Sequence, residues 1–149
     1  MTRYDPRQIA SQAQGFLVAA VRCHERHPDP GNPNQMRRLT VAGVVCSAFA
    51  AELALKAILA VEGRPATGHD LAKLFDAVSP TVRDQIYPLM RSSADEFTAK
   101  LRPCANAFEE WRYIYESVGE DIDYDFVHAA ANAFFAIAMT LIDSPAGSV

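Results

Sequence analysis

The run VAGVVCSAFAAELALKAILAV (residues 41–61) decides the fold, because only Ser47, Glu52 and Lys56 break an otherwise apolar stretch of helical length. A helix apolar on every side belongs in the middle of its domain. The reading places it over about 34–62, with Gly63 stopping it. On its N-terminal side, HPDPGNPN (27–34) packs three prolines and a glycine into a turn-forming loop. A first helix over about 6–26 precedes that loop, with Ile9, Ala13, Phe16, Leu17, Ala20 and Val21 on its inward face. On the C-terminal side, Thr67 and Asp70 have capping-box spacing before LAKLFDAV, and Ser79-Pro80 opens a further helix to about residue 90. Ser93 and Glu96 repeat that spacing and start a long helix to about residue 117, which Pro103 should kink or split. GEDIDYD (119–125) is an acidic loop whose aspartates favour the start of a last helix over 126–143, with a frayed tail after it. No segment shows the strict alternation of a half-buried strand. The expected fold is therefore all-α, one domain over residues 1–149, an up-and-down bundle of four long helices plus one or two short ones.

Composition narrows the functional classes. The chain has 149 residues, is 50% hydrophobic and 21% charged, and its 14 basic against 18 acidic residues give a net charge of −4. Such a molecule lacks the broad positive field of a duplex-DNA binder, so any nucleic-acid site must be local. Cys23, Cys46 and Cys104 form no CxxC pair and read as small buried hydrophobes in a reducing compartment. The N-terminus lacks the basic-then-apolar layout of a signal peptide, and the uncharged run 126–142 carries His128 and Asn132, so a cytoplasmic protein without a membrane span is expected. No HExxH, EF-hand, Walker, GxGxxG or GxSxG pattern occurs, which predicts neither a metal nor a dinucleotide cofactor.

The informative positions are those where charge interrupts an apolar stripe, because burying an unpaired ion is costly. Glu52 and Lys56 lie one turn apart in the favourable order, as an ion pair at the core edge or as part of a site. Arg112 falls on the stripe of Leu101, Cys104, Ala105, Phe108, Trp111 and Tyr115. It either pairs with Glu116 one turn on or, among Trp111, Tyr113 and Tyr115, holds a phosphate or base. His69 beside Asp70 opens a helix, as part of an ordinary cap or as a group facing an anion. His128 reads as a satisfied core histidine. His24 and His27 belong with Arg22, Arg26, Arg37 and Arg38 to a locally basic segment, read as a solvated helix end.

The run SAFAAELALKAILAVEGRPATGHDLAKLF (47–75) resembles the central part of HEPN domains, in which an apolar helix with a Glu-x-x-x-Lys turn leads through glycine to a His-Asp-Leu helix start. AFEEWRYIYE (107–116) is similar to the arginine-bearing helix of that family. The resemblance implies a helical bundle that commonly forms homodimers and is frequent in prokaryotic toxin–antitoxin and defence systems. An antitoxin or a nucleotidyltransferase is then an expected partner. Many members are metal-independent ribonucleases using an arginine and a histidine a little over one turn downstream. Here the arginine is Arg112, but Glu116, Ser117, Val118 and Gly119 follow, with no histidine. The expectation is a non-catalytic or degenerate module that binds RNA, a nucleotide or a protein partner through Arg112, Tyr113, Glu116, Glu52, Lys56 and His69. Two alternatives stand beside it: a metal-independent endoribonuclease toxin using Arg112 with Glu116 or His69, and a purely structural dimerisation bundle.

Overall fold

The computed structural model of the chain describes residues 4–106 and 123–144. Six α-helices, one 3₁₀ turn and a two-stranded antiparallel sheet make up the described residues. They run in the order α1 (Pro6–His24), β1 (His27–Asp29), β2 (Asn32–Arg37), α2 (Thr40–Val61), α3 (Leu71–Ala77), α4 (Pro80–Leu89), α5 (Ala94–Leu101) and α6 (Tyr124–Asp143).

Helix α2 is the centre, as its composition requires, with α1 and α6 packed along it. Thr40–Val61 and Tyr124–Asp143 are long and apolar enough to cross a membrane, yet two-thirds of the apolar window in α2 is buried within the chain itself. Ala10, Ala13 and Ala20 on α1 and Ala48, Ala51 and Ala54 on α2 are all essentially inaccessible, and Phe16 meets Phe49 edge-on between the two helices at 4.4 Å. Small side chains let two helix axes approach closely and leave little room for adjustment. The other side of the core is aromatic. Phe97 sits 4.8 Å from Phe75 and 5.4 Å from Phe126 by ring centroid, and Phe134 closes the cluster.

The helix starts follow local chemistry. The Ser79 hydroxyl accepts from Val82 N ahead of Pro80, and Ser93 with Glu96 forms a reciprocal capping box. Asp123 accepts from Phe126 N and opens α6. At the third start, Asp70 caps α3 through Lys73 N, so the cap is Asp70 and not Thr67. Gly63, at φ +70°, ends α2 in the left-handed conformation that glycine adopts without a Cβ penalty.

Further expectations are corrected at the hairpin, at the start of α2 and on the inward face of α1. Residues 27–37 form a β-hairpin, not a loop, with His27 opposite Arg37 and a turn fixed by Asp29 Oδ1 accepting from Gly31 N at 2.8 Å. Because β2 is exposed throughout, no burial alternation marked it. The strand also takes residues that the helical reading gave to α2, which starts at Thr40 and not near residue 34. On α1 the inward face includes Ala10, whereas Val21 is 53% exposed. Pro103 lies in a 3₁₀ turn, Arg102–Cys104, that follows the end of α5 at Leu101. The remainder of the long helix expected to residue 117, and the tail after Ser144, lie outside the described residues.

Candidate functional site

Glu52 lies near the middle of α2 and is 1% exposed, the one charged residue among the buried ones described. Such a carboxylate needs partners of opposite charge with good hydrogen-bond geometry. It has two. Lys56 Nζ, one turn further along α2, donates to Glu52 Oε1 at 2.6 Å. His69 Nδ1 reaches Oε1 at 3.0 Å and Oε2 at 3.1 Å.

The positions of the two donors follow from the chain. Helical spacing alone sets Lys56 on the face of Glu52. His69 arrives from the connection after α2, where Gly68 takes φ +98° and Asp70 then caps α3. Leu71 N, at the start of α3, donates to the Ala105 carbonyl at 2.9 Å, which ties this corner to the chain that runs on towards Arg112.

The cluster is graded from interior to surface: the Glu52 side chain is 1% exposed, that of Lys56 20% and that of His69 49%. A carboxylate only accepts, so the hydrogen is on His69 Nδ1 and the basic lone pair of the neutral ring is on Nε2. An imidazole held in one tautomer by a buried carboxylate can shuttle a proton. In its protonated form it joins Lys56 in a pair of cations set on one carboxylate, an arrangement that favours an anionic ligand at the rim.

Sequence reasoning named all three members and foresaw the Glu52–Lys56 pair. Arg112, Tyr113 and Glu116 lie outside the described residues. The cleft between α1 and α6, about 100 Å³ and lined by Arg7, Ala10, Ser11, Gln14, Phe135 and Met139, contains none of the predicted site residues.

A second polar cluster was not foreseen as one. Ser47 Oγ and His128 Nδ1 are hydrogen-bonded at 2.9 Å, so His128 is the satisfied histidine expected of it. Its ring stacks on Tyr124 at 5.9 Å, and Tyr124 in turn packs on His24 at 4.2 Å. His24 thus turns inward and leaves the basic segment to which its sequence neighbours assigned it. Among the described residues, His24 Nε2 is buried without a hydrogen-bond partner. Burial, followed by the charge of His24, pushes the His128 pKa down, with Asp125 opposing. Burial also raises that of Tyr124, against the pull of the nearby Ser47 hydroxyl.

Cys23 and Cys46 border this cluster and are only partly buried, a correction to the expectation of buried thiols that Cys104 alone meets. Among the described residues no three histidine, cysteine or carboxylate side chains converge as metal ligands. Compared with protein-family models, with curated proteins and with solved structures, the chain matches none.

Proposed function

We propose that this chain is a HEPN-like helical module whose Glu52–Lys56–His69 corner binds a phosphate-bearing ligand, an RNA segment or a nucleotide. The observation that carries the reading is the buried Glu52 carboxylate, which holds a lysine and a half-exposed histidine. A merely structural pair needs no second cation, and the sequence could have filled this face of α2 with leucine. In this reading Arg112, Tyr113 and Glu116 complete the ligand contacts, and the module is an up-and-down bundle of four long helices acting as a cytoplasmic homodimer. It serves in a prokaryotic toxin–antitoxin or defence system with an antitoxin or nucleotidyltransferase partner.

The test is fluorescence anisotropy of a labelled single-stranded and structured RNA pool, and of nucleotides, against wild type, Lys56→Gln, His69→Gln and Arg112→Ala at matched helicity. Salt-sensitive binding that falls at least about tenfold in each variant supports the reading. Equal binding by all four proteins, or none by wild type, refutes it.

One observation favours the enzymatic alternative, a metal-independent endoribonuclease. The Glu52–His69 hydrogen bond orients the imidazole as a general base would be oriented, and a base within reach of a 2′-hydroxyl would start transesterification. Cleavage of the same pool in chelator, lost in His69→Gln and in Arg112→Ala, would establish it. Binding without cleavage selects the non-catalytic module.

A further inference from the structure

Where α1 ends against the first turns of α2, the two backbones come unusually close. A Cβ added to Gly43 would lie 3.0 Å from His24 Nε2 and 3.3 Å from the Cys23 Cβ. Leu39 N, at the start of α2, donates to the Cys23 carbonyl at 2.9 Å and fixes the crossing. Cys46 is three residues beyond Gly43, on the same face of α2 one turn along. Cys23, already against Gly43, therefore lies beside Cys46, whose thiol hydrogen-bonds with its own, and both residues are partly open to solvent. Burial, and then the charge and hydrogen bonding of Cys23, raise the Cys46 pKa.

We infer that Cys23 and Cys46 are a site of reversible oxidative modification, closing an intramolecular disulfide between the last turn of α1 and the second turn of α2 when a hydroperoxide is present. Burial disfavours the Cys46 thiolate, so Cys23 is assigned as the attacking sulfur. The Cys23 thiolate attacks the distal peroxide oxygen, the S–O bond forming as the O–O bond breaks, so that Cys23 becomes a sulfenic acid while the other oxygen leaves as alkoxide or hydroxide and takes up a proton. Cys46 then loses its proton, its sulfur bonds to Cys23, and the sulfenic oxygen departs as water. With hydrogen peroxide the sum is two thiols and one peroxide giving one disulfide and two waters. The bond encloses the whole β-hairpin in a covalent loop and joins two helices that the reduced protein holds by packing. It is independent of the Glu52–Lys56–His69 corner.

The test treats reduced full-length protein with hydrogen peroxide in its native state and, in parallel, in denaturant, followed by denaturing alkylation and mass mapping. The expected result is loss of two hydrogens per molecule and a tryptic cross-link between peptides 23–26 and 39–56. Cys104 should still carry the label. The bond should form at least about tenfold faster in the native protein, reverse with dithiothreitol and be abolished by Cys23→Ser or Cys46→Ser. Oxidised protein should melt roughly 5–10 °C higher, since the cross-link restricts the unfolded chain. Both cysteines still taking the label, sulfinic acid without a cross-link, intermolecular bonds only, or equal rates in denaturant would each overturn the inference.

Discussion

Replacing Lys56 with methionine keeps most of the stem that packs on α2 and removes the charge, leaving the Glu52 carboxylate 1% exposed with His69 as its remaining described partner. Breaking a fully buried pair by deleting one member costs about 3–5 kcal/mol, whereas an exposed pair is worth about 0–1 kcal/mol. Lys56 is one-fifth exposed and His69 stays in place, so the expected loss is roughly 2–3 kcal/mol, a fall in Tm of roughly 5–10 °C for a chain of this size. Glu52→Leu should behave differently. It leaves no charge behind in the interior, and Lys56 and His69 both reach solvent, so its stability should stay within about 1 kcal/mol of wild type. Urea unfolding at pH 7 measures both, with equal m-values as the check that the denatured state is unchanged. A Lys56→Met protein within about 0.5 kcal/mol of wild type, or a Glu52→Leu protein less stable than it, would refute the reasoning. The expected ordering would mean that the charges at this corner are retained for something other than stability.

Gly43→Ala should destabilise by about 1–3 kcal/mol even though alanine is the better helix former by about 1 kcal/mol, because its Cβ would press on His24 and Cys23; a gain in Tm would show that the α1–α2 crossing yields easily. The depressed pKa of His128 makes a stability term that is present above its ordinary value of 6.5 and lost as pH falls below it, since the unfolded chain then takes up the proton that the folded site resists. Wild type should therefore lose more Tm between pH 7.5 and pH 5.5 than His128→Asn, and superimposable profiles would contradict this. Ser93→Ala removes the hydroxyl half of the capping box and should cost about 1 kcal/mol in urea unfolding; no change would show that Glu96 alone suffices.

The helices were legible where a residue acts on its own backbone. Ser79 before Pro80, Ser93 with Glu96 and the aspartates before α6 announce helix starts whatever the tertiary context. The central place of α2 was legible from its lack of a polar face. The hairpin was not, because nothing on β2 is buried: cross-strand backbone bonds and one Asp29–Gly31 turn hold it, and neither leaves a periodic trace. At the site, Glu52 and Lys56 were readable as a pair from their spacing. The third member is not a matter of spacing, since His69 is placed by the turn at Gly68 and by the docking of α3 against Ala105. The junction of His24, Ser47, Tyr124 and His128 brings together residues from three helices. Its single sequence signal was Gly43, a residue of low helix propensity in the longest apolar run.

The most direct test of the proposed site is the imidazole NMR signal of His69 during titration with a nucleotide and then with single-stranded RNA, in chelator. The account predicts that the His69 ring nitrogens shift saturably while those of His24 and His128 hold still, and that Lys56→Gln weakens the titration. RNA or nucleotide binding that leaves His69 unmoved, or no binding to the folded protein at all, would contradict the claim that this corner is where the ligand sits.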